Sequence, residues 1–241
     1  MSKSIKTLFR FKEFNIHQNK TAMKIGTDGV LLGAWTSIKN HPNSILDIGT
    51  GTGVIALQLA QRTDAEVIDA IEIEDNAFEQ AVENFEQSQW NNRLFCYHAS
   101  LSEFVNEIEE KYDLIISNPP FYTDNYKSNN NERNIARCTD SLSFKELLES
   151  VSILLNKKGV FSVIIPFKEK DNFIKIATNY KLYINKICDV KGNVNTDFKR
   201  SLLEFSFSDN STILQELIIE IERHIYTKEY SALLKDFYLK M

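Results

Sequence analysis

From residue 44 onward the chain alternates short apolar runs with stretches of helical periodicity. The apolar runs cover 44–48, 66–71, 94–98, 112–117, 159–165, 182–190 and 202–207. Between them, 54–62, 75–88, 101–110, 144–155 and 169–179 read as helices. In the second of these, Ala77, Phe78, Ala81, Val82 and Phe85 form one apolar stripe at helical spacing. The early runs are continuously apolar rather than alternating, as expected for parallel strands covered on both faces. Such a βαβ series predicts an α/β fold with a doubly wound sheet.

The pattern divides the chain into an N-terminal extension, 1–43, and a main domain, 44–241. In the extension, Phe9, Phe11, Phe14 and Ile16 nearly alternate with polar residues and suggest a short hairpin or strand. Thr27-Asp28-Gly29 reads as a turn or helix cap, and 30–38 as a helix ended by His41-Pro42-Asn43. Residues 211–241 read as a helical tail, because Ile213, Leu217, Ile221 and Ile225 recur at about one turn. The polar, Asn-rich stretch 122–141 is long for a loop in a compact domain, a length at which loops carry function or lack a fixed fold.

The 241 residues suit one large domain, and no apolar run approaches the roughly 18 residues of a membrane span. No signal-peptide pattern is seen, and three scattered cysteines, Cys96, Cys138 and Cys188, form neither a disulfide framework nor a zinc motif. A reducing cytoplasm, no metal and no membrane partner are therefore expected. The formal net charge of −5 hides an uneven distribution. Residues 1–24 carry six Lys/Arg against one acid, whereas 64–113 carry fourteen acids against Arg93 and Lys111. A basic arm on an acidic body can present a phosphate-binding face or be a solvated tail.

Two motifs carry chemistry. Asp47-Ile48-Gly49-Thr50-Gly51-Thr52-Gly53 follows an apolar run and opens a helix. Glycines there let the backbone turn tightly and approach a ligand. The spacing differs from the dinucleotide fingerprint and resembles the loop of S-adenosylmethionine enzymes, a resemblance that implies a zwitterionic amino-acid end whose ammonium Asp47 would help bind. Glu72 ends the next apolar run and is placed to accept ribose hydroxyls, although Glu74 and Asp75 offer the same chemistry. By the same resemblance, Ser100 stands where methyltransferases often carry an Asp that touches the cofactor adenine, and its hydroxyl can accept that bond.

The second motif is Asn118-Pro119-Pro120-Phe121, directly after 112–117. An exocyclic aromatic amine is a poor nucleophile, because its lone pair is delocalised into the ring. The side-chain oxygen of Asn118 and the carbonyl oxygen of Pro119 can accept its two N–H bonds and free the lone pair. The prolines stiffen the turn, and Phe121 offers a face for a flipped base. With the glycine loop, this reads as an S-adenosylmethionine-dependent N-methyltransferase.

The chain also resembles the bacterial tRNA1(Val) (adenine-N6)-methyltransferase family. The likeness rests on Phe9-Arg10-Phe11-Lys12-Glu13-Phe14, on the block from Met23 to Trp35, on Asn118 to Phe121, on Ile135-Ala136-Arg137 and on Ala232 to Tyr238. It implies a Rossmann-like class I methyltransferase domain, whose sheet has seven mostly parallel strands with one antiparallel, plus a short N-terminal extension packed on the core. The implied substrate is tRNA, with the adenine 3′ of the valine anticodon methylated at N6 by a monomer. Gly26, Thr27 and Asp28 would close over the cofactor, with Asp47, Gly49, Thr50, Gly51, Gly53, Glu72 and Ser100 binding it. Lys3, Lys6, Arg10, Lys12, Lys24, Arg133, Arg137, Lys199 and Arg200 are candidates for RNA phosphates. Two other readings are a protein-glutamine N5-methyltransferase acting on a release factor and a non-catalytic RNA-binding scaffold. The Phe at 121 and the intact Asn-Pro-Pro weigh against each in turn.

Overall fold

The computed structural model describes residues 8–120 and 142–241. Phe121, Lys3, Lys6, Cys138, Ile135, Ala136, Arg133, Arg137 and the rest of 122–141 lie outside the described residues. Within the described residues an eight-stranded sheet has the order β10-β8-β9-β7-β6-β3-β4-β5. Its strands are β3 (Ser44–Ile48), β4 (Val67–Glu72), β5 (Leu94–His98), β6 (Tyr112–Ser117), β7 (Leu155–Pro166), β8 (Tyr183–Lys191), β9 (Phe198–Ser206) and β10 (Ile213–Ile218). Neighbours are parallel except at β9, which runs antiparallel to both β7 and β8. Mostly parallel strands with one antiparallel member match the expectation; the strand count is eight rather than seven.

The extra strand comes from the segment read as a helical tail. Its Ile and Leu at one-turn spacing instead lie in β10, in β11 (Glu220–Glu222) and in β12 (Ile225–Tyr226). Five isoleucines at 213, 218, 219, 221 and 225 favour the extended chain, and β8 offered an unpaired edge. The helix there is only α7 (Lys228–Leu234), capped by the Thr227 hydroxyl accepting from the Tyr230 amide. β8 and β10 pair in parallel from Lys186–Ile213 to Lys191–Ile218.

Six further helices are described: α1 (Thr27–Trp35), α2 (Val54–Arg62), α3 (Asp75–Glu86), α4 (Leu101–Glu107), α5 (Phe144–Leu154) and α6 (Lys170–Asn179). α1 starts three residues before the expected 30. It stops at Trp35 because Thr36 turns extended while its amide and hydroxyl both bond the Leu32 carbonyl. Alternate residues of each strand feed two cores. Ile45, Leu114 and Ile116 face the layer with α1, α2 and α7; Leu46, Ile48 and Ile115 face α4, α5 and α6.

The expected hairpin is present as β1 (Leu8–Arg10) and β2 (Asn15–His17), pairing Leu8 with His17. Phe11, Phe14 and Ile16 are buried in the same core as α1 and α2. The Phe11 ring stacks on Phe14 at 4.6 Å and on Tyr238 at 5.8 Å. The extension is thus a component of one core layer.

Strand order reverses at β3: β4 and β5 lie on one side, β6 and β7 on the other. In open α/β sheets, ligands bind beyond the carboxyl ends of strands at such a switch point. Those ends carry the glycine loop and Asn118.

Candidate active site

The β3–β6 ladder pairs Ile48 with Ser117, so both strands stop at one level. The Ser117 hydroxyl donates to the Ile48 carbonyl at 2.9 Å and fixes that register from a fully buried position. Gly49 and Asn118 therefore follow on adjacent strands, which in sheets run about 4.8 Å apart. Pro119 is buried behind Asn118, and Pro120 is exposed.

The loop from Gly49 to Gly53 needs its glycines. Gly49, Gly51 and Gly53 have φ of 71°, 59° and 81°, in the left-handed region that a side chain disfavours. A Cβ on Gly49 or Gly51 would meet no atom within 4 Å, so the loop faces open space. At Gly53 it would come within 2.5 Å of the Phe85 ring. The Gly49 and Thr50 amides both donate to the Ile71 carbonyl, tying the loop to the end of β4.

Two carboxylates lie at this loop, and Asp47 is completely buried beneath it. Its Oδ2 accepts the Thr50 hydroxyl at 2.6 Å, while Oδ1 meets no donor at hydrogen-bonding geometry. Burial pushes its pKa up to about 7; the Thr50 hydroxyl and Ala56 amide act against that shift, and Glu72 adds to it. A cationic group beyond the loop would relieve this acid.

Glu72 accepts from the Gly51 amide at 2.9 Å through one oxygen and from the Ile73 and Glu74 amides through the other. The neighbouring acids have other duties. Glu74 caps α3 by accepting from the Ala77 amide at 2.7 Å, and Asp75 lies 3.0 Å from His98 Nε2. Of the three, only Glu72 touches the glycine loop. The Ser100 hydroxyl serves a capping box, donating to Glu103 Oε2 at 2.6 Å and accepting from the Glu103 amide. The same hydroxyl lies 3.2 Å from Ser102 Oγ, so a ligand would have to displace one of these partners.

On the other side of Asn118, a Cβ on Gly29 would lie 3.8 Å from its Nδ2, so the first turn of α1 passes beside the amide. Asp28 Oδ2 is 2.6 Å from Arg200 Nε.

The candidate RNA cations are scattered. Lys24 folds inward, donating to the Gln18 and Thr21 carbonyls at 2.5 and 2.7 Å. Lys12 donates to the Lys235 carbonyl and lines a cleft with Gln61 and Arg62, at the far end of α2 from the glycine loop. It therefore does not join a face beside Asn118, because the hairpin turn points to the amino ends of the strands. Arg10 and Lys199 are exposed, the latter at the site end of β9. Nearby, the Phe167 and Phe198 rings lie 5.2 Å apart, with Lys170 and Lys191 over their faces.

Sequence reasoning missed Asn84. Buried on α3, it accepts from the His17 amide at 2.8 Å and donates to the His17 and Thr52 carbonyls, joining the extension to the glycine loop. Gln80, one turn earlier, accepts from the Lys20 amide. Two buried amides four residues apart, beside the stripe of Ala77, Ala81 and Phe85, were the available signal.

Among the described residues there is no group of three His, Cys, Asp or Glu that could hold a metal, and no helix long and apolar enough to cross a membrane.

Residues 30–164 match the family model described as the methyltransferase small domain. A protein of Flavobacterium psychrophilum named tRNA1(Val) (adenine(37)-N6)-methyltransferase is 57% identical, with 97% of this chain and 100% of that protein covered. One of Pseudoalteromonas translucida with the same name is 42% identical, covering 97% and 99%. Among solved structures, a predicted O-methyltransferase from Agrobacterium tumefaciens superposes with a TM-score of 0.66 at 18% identity, covering 87% of this chain and 96% of that one; it shows the shared fold.

The raised acid gives a test on the protein alone. A carboxyl that binds its proton more tightly folded than unfolded contributes stability that is complete below about pH 4 and fades as the pH rises to its folded value. The stability of Asp47→Asn relative to wild type should therefore climb between about pH 4 and 7, by up to about 4 kcal/mol. Denaturant unfolding across that range checks this; parallel pH curves would show that Asp47 is not strained.

Proposed function

The chain belongs to the tRNA1(Val) (adenine(37)-N6)-methyltransferase family, and on that premise we propose that it methylates the N6 amine of adenine 37 in tRNA1(Val), with S-adenosylmethionine as donor. The observation that carries this reading is the adjacency of Gly49 and Asn118, on strands locked in register by Ser117.

The residues present fit that cofactor. Open space lies over Gly49 and Gly51, the Asp47 carboxylate has an oxygen without a partner, and the Glu72 carboxylate stands at the loop. Asp47 would serve the cationic amino-acid end and Glu72 the ribose hydroxyls. Gly26, Thr27, Asp28, Gly29 and the first turn of α1 bound the space from the extension side. Bound there, the cofactor supplies a methyl group made electrophilic by a sulfonium.

The protein's part is placement. Asn118 Oδ1 and the Pro119 carbonyl accept the two N–H bonds of the amine, which favours its pyramidal form and turns the lone pair toward the methyl. Such alignment in a site that excludes water contributes much of an enzyme's rate. Phe121 would stack on the base. The α3 side of the site carries four acids, Glu74, Asp75, Glu79 and Glu83, of which Lys20 pairs the last two, so it disfavours phosphate. RNA therefore approaches from the β7–β9 side, where Lys199 is exposed. We further read the chain as a cytoplasmic monomer working without metal.

Two outcomes test the roles. Asn118→Ala should lower methyl transfer to a tRNA1(Val) transcript at least about a hundredfold while cofactor affinity holds; turnover within a few-fold of wild type would rule out the clamp. Glu72→Ala should weaken S-adenosylmethionine binding by roughly 1.5–3 kcal/mol in calorimetry. Glu74→Ala should instead cost about 1 kcal/mol of stability through the lost cap, with affinity unchanged. The reverse result would move the ribose contact to Glu74.

A further inference from the structure

The first turn of α1 has no side-chain cap, since Gly26 stands at the cap position. What holds this turn from the side is an ion pair. Arg200 Nε lies 2.6 Å from Asp28 Oδ2, with the two side chains 35% and 30% exposed. Arg200 is in register with Pro166 of β7 and Val190 of β8, at the carboxyl edge of the sheet. Its Nη1 donates to the Lys199 carbonyl at 3.0 Å, along its own strand. β9 stands two strands from β6, roughly 10 Å at ordinary strand spacing. Arg200 bonds Asp28, and at Gly29, the next residue along the chain, a Cβ would lie 3.8 Å from Asn118 Nδ2, so this turn passes beside the amide.

We infer that Arg200 is a positioning residue for methyl transfer: through Asp28 it pins the first turn of α1 against Asn118 and keeps that amide aimed at the amine. A pair this exposed contributes little to global stability. Its location explains it better. It joins the antiparallel strand β9 to the turn beside Asn118. The inference rests on Asn118 being the clamp. It competes with a direct contact between Arg200 and an RNA phosphate.

Steady-state methylation of a tRNA1(Val) transcript at saturating cofactor separates the two. Arg200→Ala should lower kcat about tenfold, within the range for small misplacements of reacting groups, and leave tRNA KM and its salt dependence unchanged. Asp28→Ala should match it, the double variant should be no worse than either single one, and Arg200→Lys should recover part of the loss. A raised KM with a flatter salt dependence and unchanged kcat would overturn the inference in favour of a phosphate contact. Losses that multiply in the double variant would also overturn it. Should Arg200→Ala melt early, the same cycle is run with Arg200→Gln and Asp28→Asn. If wild type transfers no methyl to the transcript, it is the function reading that fails.

Discussion

One ladder step sets the site. Ile48 pairs with Ser117, and a buried hydroxyl bonds across at the last paired residues. A slip of one residue in that pairing would turn alternate side chains to the opposite face. It would also lift Asn118 by about 3.3 Å relative to the glycine loop. Both motifs are strand endings, so their relation is fixed by the sheet. The apolar stretches before them are unbroken because both faces of the sheet are covered, which leaves the carboxyl edge as the place for polar chemistry.

Around that edge, strain and its relief are arranged on opposite sides. Asp47 is buried with Glu72 near by; three backbone amides serve Glu72, whereas one Asp47 oxygen has no partner. A fold keeps such an arrangement when a bound cation completes it. Facing it, the N-terminal extension is anchored to the body by Asn84, by Gln80 and by the Arg200–Asp28 pair. The extension therefore does more than carry charge. It contributes a core layer through Phe11, Phe14 and Ile16, and a wall of the site through Gly29.

What sequence could reveal follows from the range of each interaction. β3, β5, β6 and α2 have the boundaries expected, because a short apolar run or stripe bounded by polar or small residues is a local signal. The glycine loop is local for the same reason. The 211–241 segment was misread because one-turn spacing of isoleucines suits a helix while their branching suits a strand, and the free edge of β8 decided. A lysine's type does not reveal its direction: Lys24 folds onto backbone carbonyls and Lys12 faces the other end of the sheet. Asp28 and Arg200 are 172 residues apart, and only the fold shows that they meet.

Whether the Gly49–Asn118 adjacency brings a methyl donor to one exocyclic amine is decided by nucleoside mapping after a single turnover with purified protein, S-adenosylmethionine and a tRNA1(Val) transcript, beside a transcript with guanine in place of adenine 37. One N6-methyladenosine per tRNA is expected at that position and none in the substituted transcript. Methyl at another nucleotide, equal labelling of both transcripts, or transfer only to a release-factor glutamine would contradict it.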